Sequence, residues 1–434
     1  MSTPLTNLRD YLKPYLRLLG AWNRRHLLRC AQGLLQGRTS VLSQAGRRVL
    51  TCQRKNRTIW SSRLDEWVKT MARFLRMLPW DAMEVRHFLR LKQRQGAWRL
   101  VIHDTSDIAK PWARKMEGLS TVRDGSTGAL VHGYTLTLSL GYTGEGWGID
   151  PITLTVNNPH DEHFRSEGAG AKEQIDRILQ WDLGGDALHV FDRGFDDEKW
   201  FSFLDAKQVG WMIRLRGNRR VLFRGEEHPL DVVAATMLSE RPTVRGGVTY
   251  TKTDIGITIN HDGASKKITP EVRTYALVAI RRPQYARPML LLLNARVTDT
   301  KQAVRRYRQY LDRWEIESYL KWIKEILKVE GVRLMTFPKI HNLLRLQLLM
   351  SDFILQEYRK GRLPLGGGIF EALALQWNPR RKDTRRASPY LFAEQLSAAL
   401  QREHDYGYQG RRFGQARVAS PLQLSLFPRL SDTG

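Results

Sequence analysis

Two short apolar runs, each ending in an aspartate, constrain this chain most. Residues 98 to 103 (Trp, Arg, Leu, Val, Ile, His) read as a buried strand that leads into Asp104. Residues 187 to 191 (Ala, Leu, His, Val, Phe) read the same way and lead into Asp192, Arg193, Gly194 and Phe195. Open α/β sheets gather functional groups outside the carboxyl ends of their strands, so the two aspartates converge if their strands are neighbours. The chain between them supports that placement. Tyr134, Leu136, Leu138 and Leu140 alternate with Thr135, Thr137 and Ser139, and Ile152, Leu154 and Val156 alternate with Thr153 and Thr155, giving two strands of period two. The Gly-rich connection 141–148 makes them a hairpin; it is a weak match to a nucleotide-binding loop because a strand, not a helix, follows. Helices are expected near 170–180 and 197–207, and a strand over 211–215. This order predicts an α/β fold, a mixed sheet flanked by helices.

A third carboxylate comes from a helix expected over 301–328. Tyr310, Arg313, Glu317 and Lys324 fall on one face at 3.6 residues per turn, while Ile316, Leu320, Ile323 and Leu327 form a displaced apolar stripe. Glu317 thus sits among Arg313, Lys321, Lys324 and Lys328. A solvated face with ordinary ion pairs has that composition; so does a site that binds a metal and a polyanion. With Asp104 and Asp192, the carboxylates run Asp, Asp, Glu. Asp107 is the rival to Asp104, which is preferred for its place at the strand end. Glu315 faces away from Glu317. His160 and His163 lie in a polar loop without a third soft ligand.

Asp104-Thr-Ser, the Asp192-Arg-Gly-Phe box and the Tyr310/Arg313/Glu317/Lys324 spacing together resemble the Asp-Asp-Glu transposases of the insertion-sequence-four family. The resemblance runs from about residue 98 to 345 and includes Phe337-Pro-Lys-Ile-His-Asn-Leu343. It implies a ribonuclease-H-like core with Asp104, Asp192 and Glu317 as catalytic metal ligands. It further implies that Tyr310, Arg313 and Lys324 contact DNA phosphates near the cut or orient the glutamate. Asp192 and Glu317 lie about 125 residues apart, too far for one crossover connection, and residues 218 to about 297 read as β-rich, with Val221-Leu-Phe, Val248-Thr-Tyr-Thr, Ile255–Ile259 and Tyr275–Ile280 as strands. The family resembled carries a β insertion there, in some members with a tryptophan that holds a flipped base. This chain has no Trp between Trp211 and Trp314, which leaves open whether a hairpin forms on excision, or whether Tyr250, Tyr275 or Tyr285 stacks in its place or merely fills the core.

The charge balance fits a nucleic-acid partner: 70 Lys and Arg against 44 Asp and Glu, net +26. Residues 1–95 carry twenty basic against five acidic side chains, read as helical, and place Trp22, Trp60, Trp67 and Trp80 at apolar positions. They are assigned to binding the element's ends. Arg24-Arg25, Arg47-Arg48 and Arg54-Lys55-Asn56-Arg57 are the phosphate-contact candidates, with a second basic stretch at Arg380, Arg381, Lys382, Arg385 and Arg386. If about eight of these charges reach phosphates, affinity falls about a thousandfold or more between low and moderate salt. The expected organisation is a basic helical DNA-binding domain (1–95), a catalytic core in two parts (96–217 and 299–350) around a β-rich insertion (218–298), and a helical C-terminal region (351–434) with a break near Gly366–Gly368 and a weakly ordered tail. Cys30 and Cys52 are the only cysteines, which excludes a disulfide framework or a Cys-rich zinc site. The absence of a long apolar run or a secretory pattern points to a cytoplasmic, nucleoid-associated protein without membrane contact.

Crowded carboxylates repel unless divalent cations offset them. Two Mg²⁺ ions are therefore expected, with Mn²⁺ able to substitute. The function implied is cutting of transposon ends and joining to target DNA, both double-stranded, by a homodimer in a synaptic complex. A structure-specific nuclease with the same core, or an inactive transposase-derived DNA-binding protein, are the alternatives. A carboxylate glycosidase would explain neither the charge nor the cations around Glu317.

Overall fold

Apolar alternation along the middle of the chain builds one continuous sheet. The computed structural model describes residues 3–50, 57–125, 127–259, 271–360 and 388–412. Five helices come first: α1 (Pro4–Leu16), α2 (Ala21–Gly37), α3 (Leu42–Val49), α4 (Arg57–Arg76) and α5 (Trp80–Lys92). Then follow β1 (Leu100–Ala109), β2 (Ser120–Arg123), β3 (Leu130–Tyr142), β4 (Ile149–Val156), α6 (Glu167–Gln180), β5 (Leu188–Phe191), α7 (Glu198–Ala206) and β6 (Trp211–Arg214). The expected β3–β4 hairpin, both helices and the β6 strand are present.

The β-rich stretch holds β7 (Arg220–Phe223), β8 (Glu226–Pro229), β9 (Thr243–Arg245), β10 (Val248–Ile259), β11 (Glu271–Arg281) and β12 (Met289–Leu293), together with a helix, α8 (Leu230–Glu240), that the sequence reading did not foresee. Val248–Thr251 and Ile255–Ile259, read as two strands, form the single strand β10. The chain closes with α9 (Thr300–Leu311), α10 (Trp314–Ile326), α11 (Phe337–Arg359) and α12 (Pro389–Arg412). Among the described residues twelve strands form one sheet in the order β2-β3-β1-β5-β6-β12-β11-β10-β7-β8, with β4 on β3 and β9 on β10. β1–β5 and β5–β6 are parallel and the other pairs antiparallel. The β7–β12 strands thus extend the same sheet through the β6–β12 pair.

The central strands are apolar on both faces because helices cover both. Val190, Met212, Leu291 and Leu293 face a core shared with the N-terminal helices and α9–α12. Their alternates Phe191, Trp211, Ile213, Leu290 and Leu292 face α7 and α8. Helix α11 is buried along almost all of Ile340–Leu355, and its buried polar side chains Asn342, Gln347, Ser351 and Asp352 each make a hydrogen bond there.

Two expectations change. The helix expected over 301–328 is two helices, broken at Asp312 and Arg313. The Arg313, Glu315 and Ile316 amides reach back only three residues, to Tyr310, Asp312 and Arg313 at 3.1 Å each, so the backbone tightens without any Gly or Pro to announce it. The strand before Asp104 does not end there: β1 continues to Ala109 because β3 pairs with its full length. What ends near Asp104 is the parallel pairing with β5, whose last pair is Ile102 and Val190. Arg54–Asn56, Cys52, Gly366–Gly368, the basic stretch Arg380–Arg386 and residues 413–434 lie outside the described residues.

Candidate active site

Asp104 and Asp192 each stand two residues beyond the last β1–β5 pair, so the topology sets them side by side where the two parallel strands part. Asp192 is fixed by its own turn: Oδ1 accepts the Gly194 amide at 2.7 Å. A Cβ at position 194 would lie 2.9 Å from that oxygen, which explains the glycine in the Asp-Arg-Gly box. Asp104 Oδ1 accepts the Thr105 amide at 2.8 Å.

Arg313 joins the helical carboxylate to the sheet. From the break between α9 and α10 its guanidinium donates to Asp104 Oδ2 at 3.2 Å and to Glu317 Oε1 at 2.6 Å, with only 7% of the residue exposed. Burial raises the pKa of Asp104, Arg313 opposes this, and the charges of Asp192 and Glu317 add to it, leaving the carboxyl pushed up to about 7. Although burial works against it, Tyr310, Glu317 and Asp104 hold the Arg313 guanidinium above its ordinary value. Tyr310 lies buried under this cluster, its pKa raised by burial against the charges of Arg313 and Arg214.

Lys324 ties α10 to β1: its Nζ donates to the Asp107 carbonyl at 2.8 Å and pairs with Glu330 at 3.0 Å. Asp107, an odd number of residues from Asp104 and so on the other face of β1, accepts the Thr135 hydroxyl at 3.3 Å. Glu315 lies near Asp312 and Tyr142. His160 bonds the Leu119 carbonyl and His163 faces Glu162.

The sequence reading missed a polar chain directly beneath the aspartates. His189 Nε2 lies 3.2 Å from the Gly184 carbonyl, which can only accept, so that nitrogen carries the proton. His189 Nδ1 then accepts from His103 Nε2 at 2.9 Å, and His103 Nδ1 accepts the Ser139 hydroxyl at 2.8 Å. Ser139 in turn accepts Gln174 Nε2 at 2.8 Å. Both imidazoles and the Ser139 hydroxyl are satisfied with the imidazoles neutral, while the buried Gln174 Oε1 at the end of the chain has no partner. Burial pushes His189 down to about 4 and His103 well below its usual range.

Two adjoining cavities open beside the cluster. One, of about 640 Å³, is bordered by Asp192, Arg193, Arg214, Arg216 and Arg287. The other, of about 340 Å³, reaches Arg282, Tyr310, Arg313 and Trp314. Tyr285 borders both. Tyr285 and Trp314 are more than half exposed, whereas Tyr250 and Tyr275 are buried, Tyr250 against Tyr307 and Tyr275 on Asp205. In the N-terminal helices, Arg25 and Arg48 are exposed, Arg24 donates to the Leu19 carbonyl and Arg47 lies over Trp60.

Three carboxylates at one end of a sheet are the hard oxygen donors a divalent cation takes. Among the described residues, however, no group of three or more His, Cys, Asp or Glu is drawn together closely enough to hold a metal ion. The donor chemistry fits, and a guanidinium stands in for the cation between two of the donors. Residues 155–353, a little under half of the chain, match the transposase DDE domain family. That match supports a transposase of the Asp-Asp-Glu type. The matched transposase domain contains Asp192, Tyr310, Arg313, Glu317 and Lys324 and begins after Asp104. No curated protein matches the chain. Among solved structures it is similar to a piggyBac transposase synaptic complex with hairpin DNA, at 11% identity and a TM-score of 0.46, covering 96% of this chain and 83% of that one. No helix among the described residues is long and apolar enough to cross a membrane.

Proposed function

We propose that this chain is an active transposase of the insertion-sequence-four kind, with a ribonuclease-H-like core, that cuts DNA at the ends of its element and joins them to target DNA. The observation that carries the reading is that Asp104 of a strand and Glu317 of a helix meet on one buried arginine, with Asp192 near enough for its charge to raise the Asp104 carboxyl. Those three would hold two Mg²⁺ or Mn²⁺ ions, which when bound neutralise charge on the attacking and departing oxygens of the phosphodiester. The chain's own part is positional. The Asp192 turn and the Lys324 tether fix the donors, and the arginines of the adjoining cavities supply cations for the strand on either side of the cut. Of the three tyrosines considered for base stacking, only Tyr285 presents an exposed ring.

In this reading residues 1–95 grip the double-stranded ends, residues 218–298 interrupt the core held by 96–217 and 299–350, and residues 351–434 form a C-terminal helical region. A homodimer brings two ends together in the nucleoid of the cytoplasm. The test is cleavage and strand transfer on supercoiled DNA carrying the element's terminal repeats, wild type against Glu317→Gln with Mg²⁺. Wild type should nick and join, and the variant should bind the ends and do neither. Cutting without joining would replace the reading with a nuclease, and binding without cutting would replace it with a regulatory DNA-binding role.

A further inference from the structure

The proposed metal site is already occupied by a side chain of the protein. Arg313 bonds Asp104 Oδ2 at 3.2 Å and Glu317 Oε1 at 2.6 Å. A Mg²⁺ ion needs carboxylate oxygens at about 2.0–2.1 Å and keeps several waters around it. An ion bound to those same two oxygens would therefore overlap the guanidinium or its own water shell would, and the two cations would repel at contact distance in a part-buried site. Both cannot hold Asp104 Oδ2 and Glu317 Oε1 together.

The surroundings give the guanidinium somewhere else to go. Arg313 borders the smaller cavity together with Arg214, Arg282 and Arg287. Several cations around one opening repel one another until an anion enters, and a DNA phosphate is the anion that a fork-shaped guanidinium binds best. Arg313 also sits in the break between α9 and α10, where its own amide and those of Glu315 and Ile316 reach back only three residues.

We propose that Arg313 is an exchangeable counter-ion of the metal site: it holds Asp104 and Glu317 while DNA is absent and must leave them for a phosphate in the adjoining cavity before a divalent cation binds. The inference rests on the transposase reading for the identity of the metal ligands. Its consequence is that DNA and metal bind cooperatively, because the phosphate removes the competitor of the ion. Free protein is thereby kept from assembling the cutting site on its own.

Mn²⁺ titration by calorimetry of the full chain without DNA tests this. Arg313→Met should bind Mn²⁺ about tenfold more tightly or better than wild type, Arg313→Lys should gain less, and adding Glu317→Gln to Arg313→Met should abolish the gain. Equal affinities of wild type and Arg313→Met, both sensitive to Glu317→Gln, would overturn the exchange and leave the metal site standing. No Glu317-dependent Mn²⁺ binding in either form would overturn both. A structure of the wild type with Mn²⁺ needs no variant: Arg313 displaced from Asp104 supports the exchange, and Mn²⁺ beside an Arg313 still bonded to both carboxylates defeats it.

Discussion

At the level of single residues, what the candidate site requires most is that short side chains be aimed without being blocked. Asp192 is aimed by the Gly194 amide, and the space beside its Oδ1 exists only because position 194 has no Cβ. Gly194→Ala should push the carboxylate aside by a fraction of an ångström to an ångström. Cutting in the presence of Mg²⁺ should then fall about tenfold to a hundredfold, with end binding unchanged and the melting temperature lowered by only a few degrees. Single-turnover cleavage beside a binding assay measures the split, and a full cutting rate would show that Asp192 needs no such turn. The residues proposed for this site were named from local patterns that the fold alters, since Asp104 lies inside β1 and not at its end and the Tyr310 to Lys324 spacing spans two helices. The Arg313 bridge was not legible in the sequence, because Asp104 lies 209 positions away. Nor were the roles of His103 and His189, since a histidine inside an apolar strand gives no sign of whether another histidine faces it.

At the level of elements, α10 must hold Glu317 against the sheet although its N-terminal end is a break in the helix. Lys324 fixes the far end, bonding the β1 backbone at Asp107 and pairing with Glu330 while about a quarter of its side chain stays exposed. Lys324→Ala should therefore cost about 1 kcal/mol of stability, the scale of one hydrogen bond from a charged group discounted for its partial exposure. Lys321→Ala is the control: that side chain is 71% exposed and 3.9 Å from Glu325, so its loss should fall within about 0.5 kcal/mol. Urea unfolding of the two variants compares them. Equal effects would mean that Lys324 serves only as a surface cation, available to a phosphate but not needed to tether α10. The break itself eluded sequence reading for a physical reason. The apolar period continues through 310–323 without a breaker, and what bends the chain is the packing of Tyr310 and Ile316 into the core with Arg313 drawn to the sheet. Likewise β1 runs past Asp104 because of its partner β3 and not because of its own composition.

At the level of the whole molecule, buried polar groups bind the N-terminal helices to the sheet and make stability depend on pH. Asp352 of α11 accepts Tyr11 of α1 at 2.9 Å and Arg94 at 3.1 Å, and Asp150 of β4 accepts Trp98 and Arg359 at 2.7 Å each. In the same interior His87 bonds the Pro151 carbonyl at 2.8 Å, and His341 reaches the Val156 amide at 3.4 Å. Burial lowers the pKa of His87 and His341, as it does that of His103 and His189. A base whose pKa falls on folding is neutral in the folded chain while the unfolded chain takes up a proton. Its contribution is therefore complete above the unfolded value of about 6.5 and is lost as the pH falls toward the folded value. For His189, with a folded value of about 4, the loss from neutral pH to pH 5 is roughly 2 kcal/mol. The other three histidines shift in the same direction, and below about pH 4 the depressed carboxyl of Asp352, lowered by Arg94 against the effect of burial, adds its own loss. Urea midpoints should therefore drop between pH 6.5 and 5, by less than the four histidines alone would give, because the Asp104 carboxyl, raised to about 7, takes up a proton on folding over the same range and opposes them. His189→Gln removes one titrating group and should flatten that slope by about 1.4 kcal/mol per pH unit at most, even though losing the imidazole lowers stability at pH 7. An unchanged slope in the variant would mean that His189 is protonated in the folded chain as readily as in the unfolded one, which would contradict the neutral hydrogen-bond chain beneath Asp104 and Asp192.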